Sequence, residues 1–278
     1  QDFSFETNFL GHRFKVQRLG ADDDMGKAWE LMRRQQTSAD AIGLGEVGDH
    51  YLVGQDTRIN KVTQRLLNVV TRVPATTGAT LRRLLQVRAV RYVQNHLGHY
   101  FNNNLVLFLS GMRNYDMAVA MSDYTPNLKF ADALAQTGTP TLLGSLTQLE
   151  LYAKGSDWAL SGRPGEMLQA ALSGFKSKRI AAEVAKSHVI VGTFHELKEV
   201  GNASNLAGKT VITSAVDGPR LAFFKDCRVN LVVDVSPQLF ERVVGTNVIE
   251  AMILAALGKP PESVSDDDFV EIIDELDI

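Results

Sequence analysis

The chain has 278 residues, more than the ~100–200 residues of one typical domain, so two domains are expected. Hydrophobic residues make up 45% and charged residues 22%, which excludes wholesale disorder, collagen-like repeats and coiled coil. The formal net charge of −3 creates no general field favouring nucleic acid. For this reason we do not expect nucleic acid as a partner. No apolar run reaches the ~20 residues of a membrane-spanning helix, so we do not expect a membrane as a partner either.

Two features of the sequence favour the cytoplasm. No basic stretch followed by an apolar stretch opens the chain, so no secretory signal is expected. The single cysteine, Cys227, has no partner for an internal disulfide, which suits a reducing compartment.

The first hundred residues alternate strand-like and helix-like patterns. Residues 12–18 place apolar side chains between polar ones, as in a half-buried strand. Aspartates 22–24 favour a helix start, because anions are stabilised at the positive end of the helix dipole. Residues 57–70 and 78–97 are also predicted to be helical. We therefore assign residues 1–100 to an N-terminal α/β domain.

After residue 100, apolar runs of strand length alternate with helical stretches. The predicted strands are 105–109, 127–131, 188–191, 209–213 and 229–233. Continuous apolar runs are typical of parallel sheets that are covered on both faces. The pattern predicts a C-terminal Rossmann-like domain over residues 101–259, built on a doubly wound parallel sheet. Residues 260–278 are expected to form an acidic, amphipathic C-terminal helix capped by Ser265 and Asp268.

Small and hydroxyl-bearing residues follow four of the predicted strands. In open parallel sheets, ligands bind beyond the carboxyl ends of the strands, where helix N-termini offer N–H groups to phosphate. The predicted nucleotide contacts at these ends are Ser110, Gly111, Arg113, Thr193, Thr213, Ser214 and Ser236. Each of these residues alone fits an ordinary turn or helix cap equally well. Together they indicate a crevice.

The turn after the first of these strands lacks the GxGxxG pattern of dinucleotide-binding proteins. It retains only Gly111, and Arg113 is expected to supply charge for a phosphate. Asp132 lies about 20 residues further on, where an acidic residue normally binds the ribose hydroxyls. An equally good interpretation of Asp132 is a helix N-cap.

Two other positions are candidate functional residues. His195 follows a predicted strand end beside Thr193, so it is the candidate acid/base, although an exposed helix-cap histidine fits the pattern too. Thr246 and Asn247 begin a long helix, where they are predicted ligand contacts. A capping role is the alternative, since Asn247 and Glu250 have the spacing of a capping box.

Short strings in both halves resemble a bacterial group of quinate/shikimate 5-dehydrogenase-like proteins. The matching strings are residues 40–45, 107–111, 208–213 and 245–251. The resemblance implies an N-terminal α/β domain, a Rossmann-like C-terminal domain and nicotinamide-dependent oxidation of a cyclic hydroxy acid. The sequence lacks that group's lysine–aspartate pair in a matching context and its glycine-rich cofactor turn, so no catalytic residue is transferred.

Three functional hypotheses follow. The first is an oxidoreductase that uses NAD or NADP on a small hydroxy acid or cyclic alcohol, with substrate entering between the domains near residues 43–45 and 76–78. The second is a non-catalytic binding or interaction protein, in which the apolar stripe of the C-terminal helix docks on a partner subunit or packs on its own domain. The third is a transferase with a nucleotide-linked donor.

Overall fold

The computed structural model describes residues 2–22, 24–45, 50–159, 166–240, 243–259 and 263–278, with side chains outside 157–173. The strands are β1 (Phe3–Phe9), β2 (His12–Arg18), β3 (Ile42–Gly43), β4 (His50–Val53), β5 (Asp56–Ile59), β6 (Ala75–Thr76), β7 (Val106–Phe108), β8 (Leu128–Phe130), β9 (Val189–Val191), β10 (Thr210–Thr213) and β11 (Leu231–Asp234). The helices are α1 (Met25–Gln35), α2 (Lys61–Leu67), α3 (Ala79–His96), α4 (Tyr115–Ser122), α5 (Asp132–Thr137), α6 (Leu146–Ala159), α7 (Glu166–Lys186), α8 (Phe194–Val200), α9 (Ala203–Leu206), α10 (Gly218–Asp226), α11 (Thr246–Leu257) and α12 (Asp266–Glu275).

The chain divides into two compact units. Unit 1 comprises Gln1–His50, Arg58–Leu84 and Gln238–Ile278, and unit 2 comprises Tyr51–Thr57 and Leu85–Pro237. This division differs from the boundaries at residues 100 and 259 that the sequence suggested. The physical reason is that α11 packs against β3 and β6, so the last stretch of the chain belongs with the first.

Unit 1 is built from small sheets and helices. β1 pairs with β2 in an antiparallel hairpin, and β3 pairs with β6 in parallel. The alternating pattern that predicted β2 is confirmed, with Phe14 and Val16 less exposed than their neighbours. α2 begins later than residue 57, because β5 precedes it and the Asn60 side chain accepts from Val62 N at 2.8 Å to cap the helix.

Unit 2 contains a five-stranded sheet in the order β11-β10-β9-β7-β8. Every strand pair is parallel, which confirms the predicted parallel α/β sheet. Counted along the unit, the order is 2-1-3-4-5, one of the two common doubly wound orders, and its switch point lies between β7 and β9. The classic dinucleotide-binding order is 3-2-1-4-5-6, so the Rossmann-like assignment stays a prediction.

The sheet of unit 2 is covered on both faces, as its continuous apolar strands predicted. Val106 and Phe108 belong to one buried cluster with side chains of α3, α4 and α6. Leu107, between them, belongs to a second cluster with side chains of α5, α7 and α8. Successive residues of a strand point to opposite faces, so a strand between two helix layers must be apolar throughout.

The acidic C-terminal helix is present as α12. Ser265 and Asp268 form its capping box, as predicted. Phe269, Ile272 and Ile273 are buried, so the apolar stripe packs within the chain and is not free for a partner. Residues 260–262 and Asp23, which also figured in the sequence-based elements, lie outside the described residues. In the described part of the chain, no helix combines the length and apolar character needed to cross a bilayer.

Candidate functional site

The carboxyl ends of the five parallel strands bring the predicted contacts of unit 2 to one edge of the sheet. Ser110 follows β7, Thr193 follows β9, Ser214 follows β10 and Ser236 follows β11. The side-by-side arrangement of strand ends on which the crevice prediction depends is therefore present. What these residues contact decides what the edge can bind.

The turn after β7 is held by Asp132. Its carboxylate accepts from Gly111 N at 2.7 Å and Met112 N at 3.0 Å, and the residue is only 2% exposed. A Cβ on Gly111 would lie 2.8 Å from Asp132 Oδ2 and against Phe130. Glycine is therefore required here because the chain's own side chains fill the space that a ligand would use. Asp132 sits at the predicted spacing, but it is turned onto the protein backbone.

The Asp132 carboxylate is an unusual acid. Burial raises its pKa to about 6, while the two backbone N–H groups oppose that shift and the charge of Glu196 adds to it. A carboxyl with a pKa this close to neutrality is a common feature of functional sites.

Glu196 links the two strands at the switch point. Ser110 Oγ donates to Glu196 Oε1, and Thr193 donates to Glu196 Oε2 through its backbone N at 2.7 Å and its hydroxyl at 2.9 Å. The spacing Thr193-x-x-Glu196 is that of a capping box, and this signal could have identified the role of Glu196 from sequence. Both predicted hydroxyl contacts, Ser110 and Thr193, are thus engaged by one carboxylate.

His195 lies on the first turn of α8, next to Glu196. Its side chain is exposed and has no hydrogen-bond partner among the described residues. Nothing in its surroundings tests the predicted acid/base role.

The ends of β10 and β11 are also joined internally. Asp234 accepts from Ser236 N and Val216 N, both at 2.9 Å, and Ser236 Oγ accepts from Ala215 N at 2.8 Å. The Ser214 carbonyl faces Arg220 Nη1 at 3.5 Å. These contacts close the loops that were predicted to bind a nucleotide.

Thr213 and Arg113 complete the predicted set in unit 2. Thr213 is buried at 4% exposure, and its hydroxyl oxygen has no partner among the described residues. Arg113 is half-buried and interacts within the chain.

Carboxylates occupy the helix starts at this edge. Asp132 accepts from the start of the 3-10 helix Met112–Asn114, Glu196 from the N-cap of α8, and Asp217 from Arg220 N at 2.9 Å in α10. A phosphate at these positions would meet a negative charge and already satisfied N–H groups. At these three points the helix starts are therefore already capped by carboxylates of the chain itself.

A pocket of about 240 Å³ opens beside Glu196. Its apolar wall includes Leu109 and Ile180, and its polar wall includes Lys176, Glu196 and Glu199. It lies on the α5, α7 and α8 side of the sheet, at the carboxyl end of β7. Lys176 and Glu199 were not predicted as site residues, because both lie inside helices whose charged residues have the pattern of ordinary solvent-exposed faces.

Thr246 and Asn247 belong to unit 1, not to the sheet edge of unit 2. α11 begins at Thr246, and the Asn247 backbone lies against Gly43 of β3 and Gly78 in the turn after β6. Gly78 adopts φ +73°, and a Cβ there would collide with the Asn247 backbone. In the structure these glycines leave space for the backbone of α11 to pack closely against β3 and the turn after β6.

The threonine–glycine loop before α3 (residues 76–78) holds an internal anion. Thr76 Oγ1 donates to Glu250, and Glu250 Oε2 accepts from Leu81 N at 2.7 Å. Burial raises the pKa of Glu250, and these hydrogen bonds oppose the rise. The buried carboxylate of α11 thus caps α3 within unit 1.

Comparisons with known proteins identify two family models. Residues 80–278 match the model described as Domain of unknown function (DUF8754), and residues 1–77 match the one described as Domain of unknown function (DUF8753). The first match covers most of the chain. Neither a curated protein nor a solved structure matches the chain.

Proposed function

Since this chain belongs to the family described as Domain of unknown function (DUF8754), we propose its function from its own residues: unit 2 binds a small hydroxy acid in the pocket beside Glu196. The observation that carries the proposal is the ammonium group of Lys176. Lys176 is half-buried in the pocket wall, and among the described residues its ammonium group has one hydrogen bond, to the Gln136 carbonyl at 3.3 Å. A partly desolvated cation without a carboxylate partner among the described residues favours an anionic group in the ligand.

A second polar group of the pocket, the Glu199 carboxylate, suits a hydroxyl. Ser177 Oγ donates to Glu199 Oε1 at 2.7 Å, which leaves the second carboxylate oxygen of Glu199 as an acceptor. Leu109, Ile180 and Val200 give an apolar surface for a carbon ring. The volume of about 240 Å³ is below the ~300–1,000 Å³ of pockets for drug-sized ligands, so the ligand is small.

Binding of quinate and its neutral amide tests the proposal. We expect quinate to bind more tightly than the amide by about tenfold, or ~1.4 kcal/mol, because only quinate offers a carboxylate to Lys176. Lys176→Met should remove that preference and leave the affinity for the amide unchanged. Isothermal titration calorimetry provides the affinities.

Lys178→Met is the matched control, since Lys178 is exposed on the same helix and lies outside the pocket lining. An equal loss of the preference for quinate in the Lys176→Met and Lys178→Met variants would contradict the assignment of Lys176. The hydroxy-acid proposal is overturned if neither quinate nor lactate binds when each is present at a concentration of about 1 mM.

A second candidate is NAD(P)-dependent oxidation of the same acid. It is favoured by the switch point between β7 and β9, where doubly wound sheets bind nucleotides. Hydride would pass from the substrate carbon to the nicotinamide, and the hydroxyl proton would pass to His195. Arg113 is the predicted phosphate partner, and Cys227, the lone cysteine, supports a cytoplasmic setting.

Fluorescence titration with NADH and NADPH tests this second candidate. We expect His195→Ala to lower turnover at least tenfold with cofactor affinity unchanged, because the imidazole acts only in proton transfer. Absence of cofactor binding at about 1 mM would leave only the binding function.

A further inference from the structure

Two helices of unit 1 each expose basic and apolar side chains. Trp29 of α1 is 45% exposed, and the Arg33 guanidinium lies 5.4 Å from its ring centroid. Val62 of α2 is 40% exposed and is flanked by Lys61 and Arg65. These five residues are called the basic surface below.

The two helices are fixed to each other at their C-terminal ends. Gln36, which follows α1, donates to Val69 O at 3.3 Å and accepts from Thr71 N at 2.9 Å. The C-terminal ends of α1 and α2 are therefore held together within unit 1.

The cations of α2 have no internal partner in the described structure. Lys61 and Arg65 are exposed, and neither forms an ion pair with any described residue. Their i, i+4 spacing places them on one face, where like charges repel. An opposite charge brought to this face from outside would relieve that repulsion.

α12 carries the complementary surface. Asp267, Glu271 and Glu275 are exposed at i, i+4 and i+8, so they form one acidic stripe. Val270 lies beside this stripe and is 41% exposed. These four residues are called the acidic surface, and like the basic surface it combines an exposed valine with charges of one sign.

The separation of charge is already present in the sequence. Residues 57–115 contain nine lysines and arginines and no acidic residue, whereas residues 260–278 contain eight acidic residues and no lysine or arginine. Within the chain, Arg83 and Asp266 pair at 2.5 Å, so the two segments already attract each other at one point.

We propose that the basic surface of one copy of the chain docks on the acidic surface of a second copy, and the reverse, to form a symmetric dimer. Val62 and Trp29 then cover Val270, and Lys61 and Arg65 face the acidic stripe. Two such contacts related by a twofold axis satisfy both surfaces of both copies. A nucleic acid is a poorer occupant, because the same unit carries the acidic surface and the chain has a net charge of −3.

The test uses paired charge reversals in the full chain. One variant carries Lys61→Glu with Arg65→Glu, and the other carries Glu271→Lys with Glu275→Lys. Each variant alone is expected to be monomeric, because both contacts then join like charges. An equimolar mixture is expected to restore a dimer, because every contact in the mixed pair again joins opposite charges.

Light scattering after size exclusion gives the masses. The unaltered chain should show twice its 30.5 kDa mass at about 0.01 M salt and shift toward monomer at about 1 M, where the Debye length falls to ~3 Å. Lys178→Glu with Arg179→Glu on α7 makes the same change of charge away from both surfaces and should stay dimeric.

Three results would overturn the proposal. They are a monomeric unaltered chain at low salt, a dimer that neither reversal disturbs, and a mixture that fails to restore the dimer lost in the separate variants. Binding of single-stranded RNA to a chain that stays monomeric, lost in the Lys61 and Arg65 variant, would assign the basic surface to nucleic acid instead.

Discussion

Asp132 carries a charge in a nearly water-free part of unit 2. Its pKa of about 6, against a usual value of 3.8, means that ionisation in the folded state costs about 3 kcal/mol at neutral pH. In return the carboxylate binds the backbone N–H groups of Gly111 and Met112 and so holds their turn. A site that keeps so costly a group at the switch point is consistent with a role beyond stability.

The pH dependence of stability should show this cost. Below pH 3.8 the carboxyl is protonated in both the folded and the unfolded chain, so ionisation costs nothing. As the pH rises to about 6, the unfolded chain ionises first, and the folded state loses relative stability. As the pH rises from 3.8 to about 6, the free energy of unfolding of Asp132→Asn should therefore increase by up to about 3 kcal/mol relative to that of the unaltered chain. Urea unfolding measures this difference at each pH.

The exposed Asp123, whose replacement by Asn should leave the pH profile unchanged, is the control. A constant difference between the Asp132→Asn variant and the unaltered chain across this range would show that the carboxyl ionises normally.

At this scale the sequence located residues better than it assigned their roles. The spacing of about 20 residues from the turn found Asp132, and the position after a strand found Ser110 and Thr193. Their partners depend on side chains far away in the sequence, since Glu196 reaches Ser110 from 86 residues further along the chain. No local pattern reports such a contact.

At the scale of elements, α3 depends on a side chain from α11. Glu250 accepts from Leu81 N in the first turn of α3 and from the hydroxyl of Thr76 in β6. A helix start whose cap comes from another element is formed only when both elements are in place.

Removal of this cap should loosen the first turn of α3. Glu250→Ala leaves buried donors unsatisfied, so we expect a loss of about 1–3 kcal/mol in the free energy of unfolding. Hydrogen exchange should show that the Leu81 amide loses at least about tenfold protection, equal to ~1.4 kcal/mol. Glu250→Gln keeps one carbonyl acceptor and should lose less.

Glu271→Ala on the exposed side of α12 is the control for loss of a carboxylate and should leave Leu81 protected. Unchanged protection of Leu81 in Glu250→Ala would mean that water replaces the carboxylate at no cost.

The sequence predicted elements well where pattern and environment agree. All five strands of the unit 2 sheet were predicted, and β7 and β9 are buried throughout because helices cover both faces of the sheet there, whereas Lys129 of the edge strand β8 is exposed. β1 and α6 are among the elements that were not predicted from the sequence. β1 shows a clear alternation of phenylalanine with polar residues, and α6 carries Leu146, Leu149 and Ala153 at helical spacing, but Gly144 and Gly155 weaken the helical pattern.

At the scale of the whole molecule, the sequence predicted two α/β parts but not which stretches of the chain belong to each part. The contact between Thr76 and Glu250 spans 174 residues, and no periodicity or composition shift reveals a contact of that range. The pocket was not predicted for the same reason, since Lys176 and Glu199 come together only when α7 and α8 pack on one face of the sheet.

Unit 1 is assembled from three separate stretches of the chain, and the last begins at Gln238, after the whole of unit 2. On the ribosome, unit 2 has its complete sequence while β3 and β6 still lack α11. The earlier stretches of unit 1 must therefore wait, with part of their apolar surface uncovered, until translation delivers Gln238–Ile278. Early release of the chain would leave that surface open to chaperones and proteases, however well unit 2 had folded.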